Sequence, residues 1–247
     1  MMKSKQVFLF LSLLALLPAG LQAQSDDLGV WASAEVKKRI TTGLDASVEG
    51  EFRTRDGLSQ VERWAATAQL SYRIVSFLKA DVGYTYIYAH PESTTTKKGN
   101  IVAAYWSPRH RLSVSLTGSY KYKRLEFSLR ERYQLTHRVA TSAAKYDGDD
   151  GSAKADEEIA SKTKHVLRSR LQVEWDIKKS KFSPYVSCEL FHAMSDDWSL
   201  DKTRWTVGTA YKINKKHSLD VCYRYQNRSD DDEANGHVIG VGYRYKF

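Results

Sequence analysis

Charged side chains recur in this chain at every second position. "EGEFRTR" sets Glu49, Glu51 and Arg53 two residues apart, "LRERYQL" does the same for Arg130 and Arg132, and "RSRLQVEWD" for Arg168, Arg170, Glu174 and Asp176. Arg63, Arg73, Asp81, Arg111 and Glu126 lie in similar alternating stretches, as do Glu189, Arg204, Arg224 and Arg244. Guanidinium and carboxylate groups gathered in a confined interior can do two things. They can neutralise one another as a packed network. Where cations are in excess they can also line a passage for anions. Side chains largely fill the interior of a small barrel, which favours the network.

Other chemistries find less support. The histidines are His90, His110, His137, His165, His192, His217 and His237, and none belongs to a GxSxG or HExxH motif. His110, His137 and His217 flank turns, where interfacial or capping roles suit them. No catalytic residue is therefore assigned, and no cofactor is implied. Cys188 and Cys222 have no second Cys or His at ligand spacing. "DGDDG" offers Asp147, Asp149 and Asp150 as weak calcium candidates, but it lacks the spacing and the final Glu of an EF-hand loop. No other metal site is suggested. Asp196, Asp197 and the run Ser229–Glu233 read as solvated acidic loops. Divalent cations held there could bridge to lipopolysaccharide phosphates.

The charges must be positioned by strands, because each alternates with an apolar partner. "GLDASVEGEFRTR" sets Leu44, Ala46, Val48 and Phe52 against Asp45, Ser47, Glu49, Glu51 and Arg53. "RWAATAQLSYRI", "LKADVGYTYIY", "RLSVSLTGSYKY" and "SLDVCYRYQN" repeat the pattern. Successive strand side chains point to opposite faces, so each segment has one oily and one ionic face. The segments run to about 10–14 residues, longer than the roughly 5–6 of ordinary strands and long enough for a tilted membrane span of about 9–11. Tyr84, Tyr86, Tyr88, Tyr120, Tyr122, Tyr243 and Tyr245 crowd the ends of the oily faces, as an aromatic girdle would. Glu131 is an acid on an oily face, read as interfacial near His137 or Arg138, or as the mark of a bulge.

Short and long connections alternate along the chain, as an up-and-down meander requires. Counted from Leu28–Val36, the alternating segments number eleven. Bacterial single-chain barrels have an even number of strands. "NIVAAYW", Asn100 to Trp106, supplies a twelfth at the expense of the short–long rhythm. The expectation is an all-β, antiparallel up-and-down transmembrane barrel of about twelve strands, with ten if Leu28–Val36 lies outside the wall.

"MMKSK", the apolar run "QVFLFLSLLALLPAGL" and the small Ala23 have the order of an export signal. Residues 1–23 are read as a cleaved signal peptide and 24–247 as the barrel domain. Beyond the signal no apolar run reaches spanning length, which excludes a helical membrane protein. A net charge of +9 does not point to nucleic acid, because the basic residues alternate along strands and the chain is exported. The closing "VIGVGYRYKF" puts Ile239, Val241, Tyr243, Tyr245 and Phe247 on one face.

The stretches "DLGVWASAEVKKRI", "VEGEFRTR", "RHRLSVSLTGSYKYKRLEFSLRERYQLTHR", "PYVSCELF" and "GYRYKF" resemble an uncharacterised outer-membrane barrel family, domain of unknown function 2490. The resemblance implies a Gram-negative outer-membrane barrel and carries no settled activity. Tyr243, Tyr245 and Phe247 resemble the carboxy-terminal signal by which such proteins are recognised for assembly. The expected function is a structural or narrow-passage, porin-like barrel with an Arg/Glu-lined lumen. The alternatives are a lipid-modifying outer-membrane enzyme and a soluble periplasmic β-barrel that binds a ligand. Expected partners are outer-membrane lipid, lipopolysaccharide and, during biogenesis, the barrel assembly machinery, with the protein a monomer.

Overall fold

The alternating segments form the wall of a closed barrel. The computed structural model describes residues 28–195, 198–227 and 236–247; the export-signal residues and the acidic runs at 196–197 and 229–233 fall outside these. The strands in chain order are β1 (Leu28–Thr41), β2 (Leu44–Arg55), β3 (Gln60–Val75), β4 (Leu78–Ala89), β5 (Thr94–Thr95), β6 (Ile101–Val102), β7 (Ser107–Tyr122) and β8 (Leu125–Arg138). Then come β9 (Thr141–Tyr146), β10 (Ala153–Ile159), β11 (Lys162–Trp175), β12 (Phe182–Ala193), β13 (Ser199–Lys212), β14 (His217–Gln226) and β15 (Gly236–Lys246).

The barrel order is β1-β15-β14-β13-β12-β11-β8-β7-β4-β3-β2, eleven strands among the described residues, one from the expected count of about twelve. Asn100–Trp106 does not enter the wall; only Ile101 and Val102 form a strand there, and it lies in a second sheet. The ten-strand version also fails, because β1 is part of the wall. An odd number of strands in an up-and-down meander leaves the first and last running the same way. β1 and β15 accordingly pair in parallel, from Leu28 opposite His237 to Lys37 opposite Lys246. Every other wall pairing is antiparallel, so the fold class stands.

The connections divide the barrel into two rims. One carries the tight turns, such as Thr42–Gly43, with Gly43 at φ +83°, and Lys123–Arg124. The opposite rim carries the long connections. Two of these, between β4 and β7 and between β8 and β11, build a second sheet in the order β10-β9-β6-β5. Val102 and Ala143 are buried there. Alternation within Thr141–Tyr146 is too short to have announced it.

The wall is oily outside and ionic within. Leu112, Leu129 and Leu171 are 54%, 52% and 53% exposed, whereas Arg63 and Glu189 are each 4% exposed. A single closed sheet can bury side chains only in its lumen, so the charged face points inward. Gly208 on β13 makes room for this filling: a Cβ there would lie 2.7 Å from the Tyr185 hydroxyl.

Candidate functional site

Inside the loop-side half of the barrel, side chains interlock around two carboxylates and two aromatic rings. Glu51 on β2 accepts from Arg53 Nη2 at 2.9 Å and from Arg63 Nη2 at 3.1 Å. Adjacent on β1 is Trp31, with the Arg53 guanidinium 3.4 Å from its ring centroid. The guanidiniums of Arg204 and Arg224 approach the same ring at 4.9 and 5.0 Å. Arg204 in turn reaches Glu189 on β12 at 3.4 Å. Glu189 also takes Arg130 at 2.6 Å and Arg168 at 2.8 Å. Phe191, two residues further along β12, lies against Arg168, Lys202 and Arg204.

The contacts therefore run from β3 through β2, β1, β13, β12 and β11 to β8. Gln134 and Gln226 complete the belt by accepting from Arg168 and Arg204. Guanidiniums stack on aromatic faces and fork onto carboxylates, so arginine fills a dry polar interior better than lysine would. On the strands left out of the belt, Asp81 accepts from Ser71 and Ser115 and pairs with Lys79. Arg111 donates to Thr136 Oγ1 at 2.9 Å.

Like charges face one another across several strand pairs of the lumen. In the loop-side half, strand register sets Arg53 opposite Arg63 and Arg109 opposite Arg138. Nearer the middle it sets Arg132 opposite Arg168 and Arg130 opposite Arg170. In the turn-side half, Glu35 stands opposite Glu49, and Glu126 opposite Glu174. Arg73 and Glu126 are exposed at the turn-side rim, as is Arg244, which pairs with Glu35. Arg73 borders a shallow cleft there with Arg39, Asp45 and Lys79. Some of the residues chosen from sequence thus join the packed loop-side belt, Asp81 and Arg111 make separate contacts, and others stand at the wetter turn-side rim.

On the outward face the tyrosines expected to form a girdle, and others that sequence left unassigned, pair with histidines. Tyr84 bonds His110 at 2.7 Å, Tyr133 bonds His165 at 2.6 Å, and Tyr243 bonds His217 at 2.6 Å. Tyr223 and His237 make a fourth such pair. These diagonal cross-strand pairs give each rim rings that are oily on the face and polar at the tip, suited to a lipid–water boundary. The signal lay in sequence as outward-parity histidines near strand ends. Glu131 lies at no bulge and does not meet His137 or Arg138; it accepts from Ser169 Oγ at 2.6 Å across the β8–β11 pair.

Two of the three loop candidates for calcium, Asp147 and Asp150, are otherwise engaged. Asp147 is ion-paired with Lys154 and caps the amide of Asp149, and Asp150 accepts from the Ser152 amide. Lys154 beside Asp147 holds that carboxyl below the usual carboxylate range. No group of three ligating side chains suited to a metal occurs among the described residues. Cys188 and Cys222 are free, the first on the outward face and the second in the lumen.

A family model described as "Protein of unknown function (DUF2490)" matches residues 28–237. Among curated proteins none matches this chain at a significant level. Among solved structures, the β domain of the Bordetella autotransporter BrkA is similar, with 12% identity and a TM-score of 0.51. The match covers 83% of this chain and 82% of that one, and shows a shared barrel fold.

Proposed function

This chain belongs to the DUF2490 family, whose description assigns no function, and we propose that it is an outer-membrane barrel of structural or narrow-passage type. The observation that carries the reading is the sidedness of the wall. Leucines half-exposed on the outside and glutamates and arginines buried on the inside suit hydrocarbon around the barrel and ions within it. A soluble ligand-binding barrel would place those faces the other way round. A lipid-modifying enzyme gains nothing from the outward Ser169, whose partner is Glu131 and not an imidazole.

In this reading residues 1–23 direct export and are removed. Tyr243, Tyr245 and Phe247 present the last strand to the assembly machinery. The Tyr–His rims meet lipid and lipopolysaccharide, and the barrel acts as a monomer. The fold it shares with an autotransporter β domain fits that setting. The belt of Trp31, Arg53, Glu51, Arg204, Glu189 and Phe191 narrows the lumen. With Arg63, Arg130, Arg168, Lys202 and Arg224 beside them, cations exceed acids in the belt, so what passes is small and anionic.

Two measurements test the proposal. The mature chain should fold only with detergent or lipid present; a stable fold in plain buffer overturns the membrane reading. In planar bilayers the protein should carry at most a small, anion-selective current. Trp31→Ala combined with Phe191→Ala should enlarge it. A wide or cation-selective current in the unaltered protein would refute the narrow anionic lumen.

A further inference from the structure

On the lumen face of β8 and β11, four arginines stand in a two-by-two array. Arg130 is directly opposite Arg170, and Arg132 directly opposite Arg168. Side chains so placed have Cβ atoms about 4.5–5.5 Å apart, and like charges in that relation repel. Glu189 relieves one diagonal of the array, bonding Arg130 through Oε1 and Arg168 through Oε2. The other diagonal, Arg132 and Arg170, gains no contact from that carboxylate within ion-pair distance. The Nε–H groups of Arg130, Arg132, Arg168 and Arg170 are all buried without a hydrogen-bond partner among the described residues.

Buried donors without acceptors, on cations facing cations, are what an anion site looks like before it is filled. Glu189 shows the array's chemistry with an oxyanion, one oxygen to each of two guanidiniums on different strands. A second tetrahedral or planar oxyanion on the Arg132–Arg170 diagonal would meet the same forked donors. We propose that the arginine array of β8 and β11 is a binding site for phosphate or a small phosphorylated or carboxylated solute. The site deepens the narrow-passage reading by naming the class of anion that would dwell in the lumen, and it rests on that reading for access to the array.

Inorganic phosphate, titrated calorimetrically into the detergent-folded protein at constant ionic strength, is the test. Saturable binding is expected. Arg132→Gln with Arg170→Gln should weaken it by about tenfold or more, the loss of at least one charge-assisted pair. Glu189→Gln, which removes the nearest negative charge from the array, should tighten it. Should the glutamine pair not fold, Arg132→Lys with Arg170→Lys keeps the charges and loses the forks, and it too should bind more weakly. No saturable phosphate binding, or equal binding by wild type and the arginine variants, overturns the proposal. Conductance separates the two readings: a lumen that binds phosphate but carries no current refutes the passage alone. One that carries current but binds no phosphate refutes this site alone.

Discussion

Replacing Glu189 with Gln removes one negative charge and almost no volume, so its effect reads the ion network and not a cavity. The carboxylate holds Arg130 at 2.6 Å, Arg168 at 2.8 Å and Arg204 at 3.4 Å, and the residue is 4% exposed. Hydrogen bonds to charged groups contribute about 1.5–3 kcal/mol each, and they share one acceptor here, so they do not add. The third contact is long and counts for little. Leaving buried cations without their counter-ion costs about 3–5 kcal/mol, and that is the expected loss for Glu189→Gln. Reversible urea unfolding in lipid vesicles, followed by fluorescence of the chain's six tryptophans, measures it. A double-mutant cycle with Arg168→Gln gives the sign: removing both partners should cost less than the sum of the single losses. A loss below about 1 kcal/mol, the scale of a solvent-exposed pair, would mean water reaches Glu189 freely and the belt is not packed.

The outward face has its own test. Leu171→Arg puts a cation on the oily side near the middle of β11 and should cost about 2–4 kcal/mol in lipid, in the same urea assay. Equal stability would indicate that this face does not meet hydrocarbon. Outside the wall, the depressed Asp147 carboxyl stabilises the β9–β10 connection through Lys154. Because the folded value lies below the unfolded one, that stabilisation is present above the ordinary carboxylate pKa. It fades as pH falls through the lowered one. Protection of the Asp147–Ser152 amides, relative to their intrinsic exchange at each pH, should therefore fall only in acid, and Lys154→Ala should move that onset to higher pH; an unchanged onset would contradict the pairing.

Why some of this was legible in sequence and some was not comes down to the reach of each rule. A residue's face in a strand follows from its own position, so Arg63, Arg168 and Leu171 could be assigned to sides without knowing what lies opposite. Register over a tight turn is nearly as local. Counting outward from Lys123–Arg124 pairs Lys121 with Glu126 and Thr117 with Arg130, as the barrel does. Closure is different in kind. The parallel match of Leu28 with His237 is decided by strand parity, and an even count was imposed where the chain's eleven segments already stood. The β8–β11 register is equally hidden, because residues 139–161 fold into strands of their own and leave no turn to count from. It is across that junction that Arg130 meets Arg170, Arg132 meets Arg168 and Glu126 meets Glu174. A contact between like charges is also the pairing that charge complementarity alone would have rejected. Its presence here implies that the wall's oily pattern fixes the register first. The lumen then inherits electrostatic strain that a bound oxyanion can relieve.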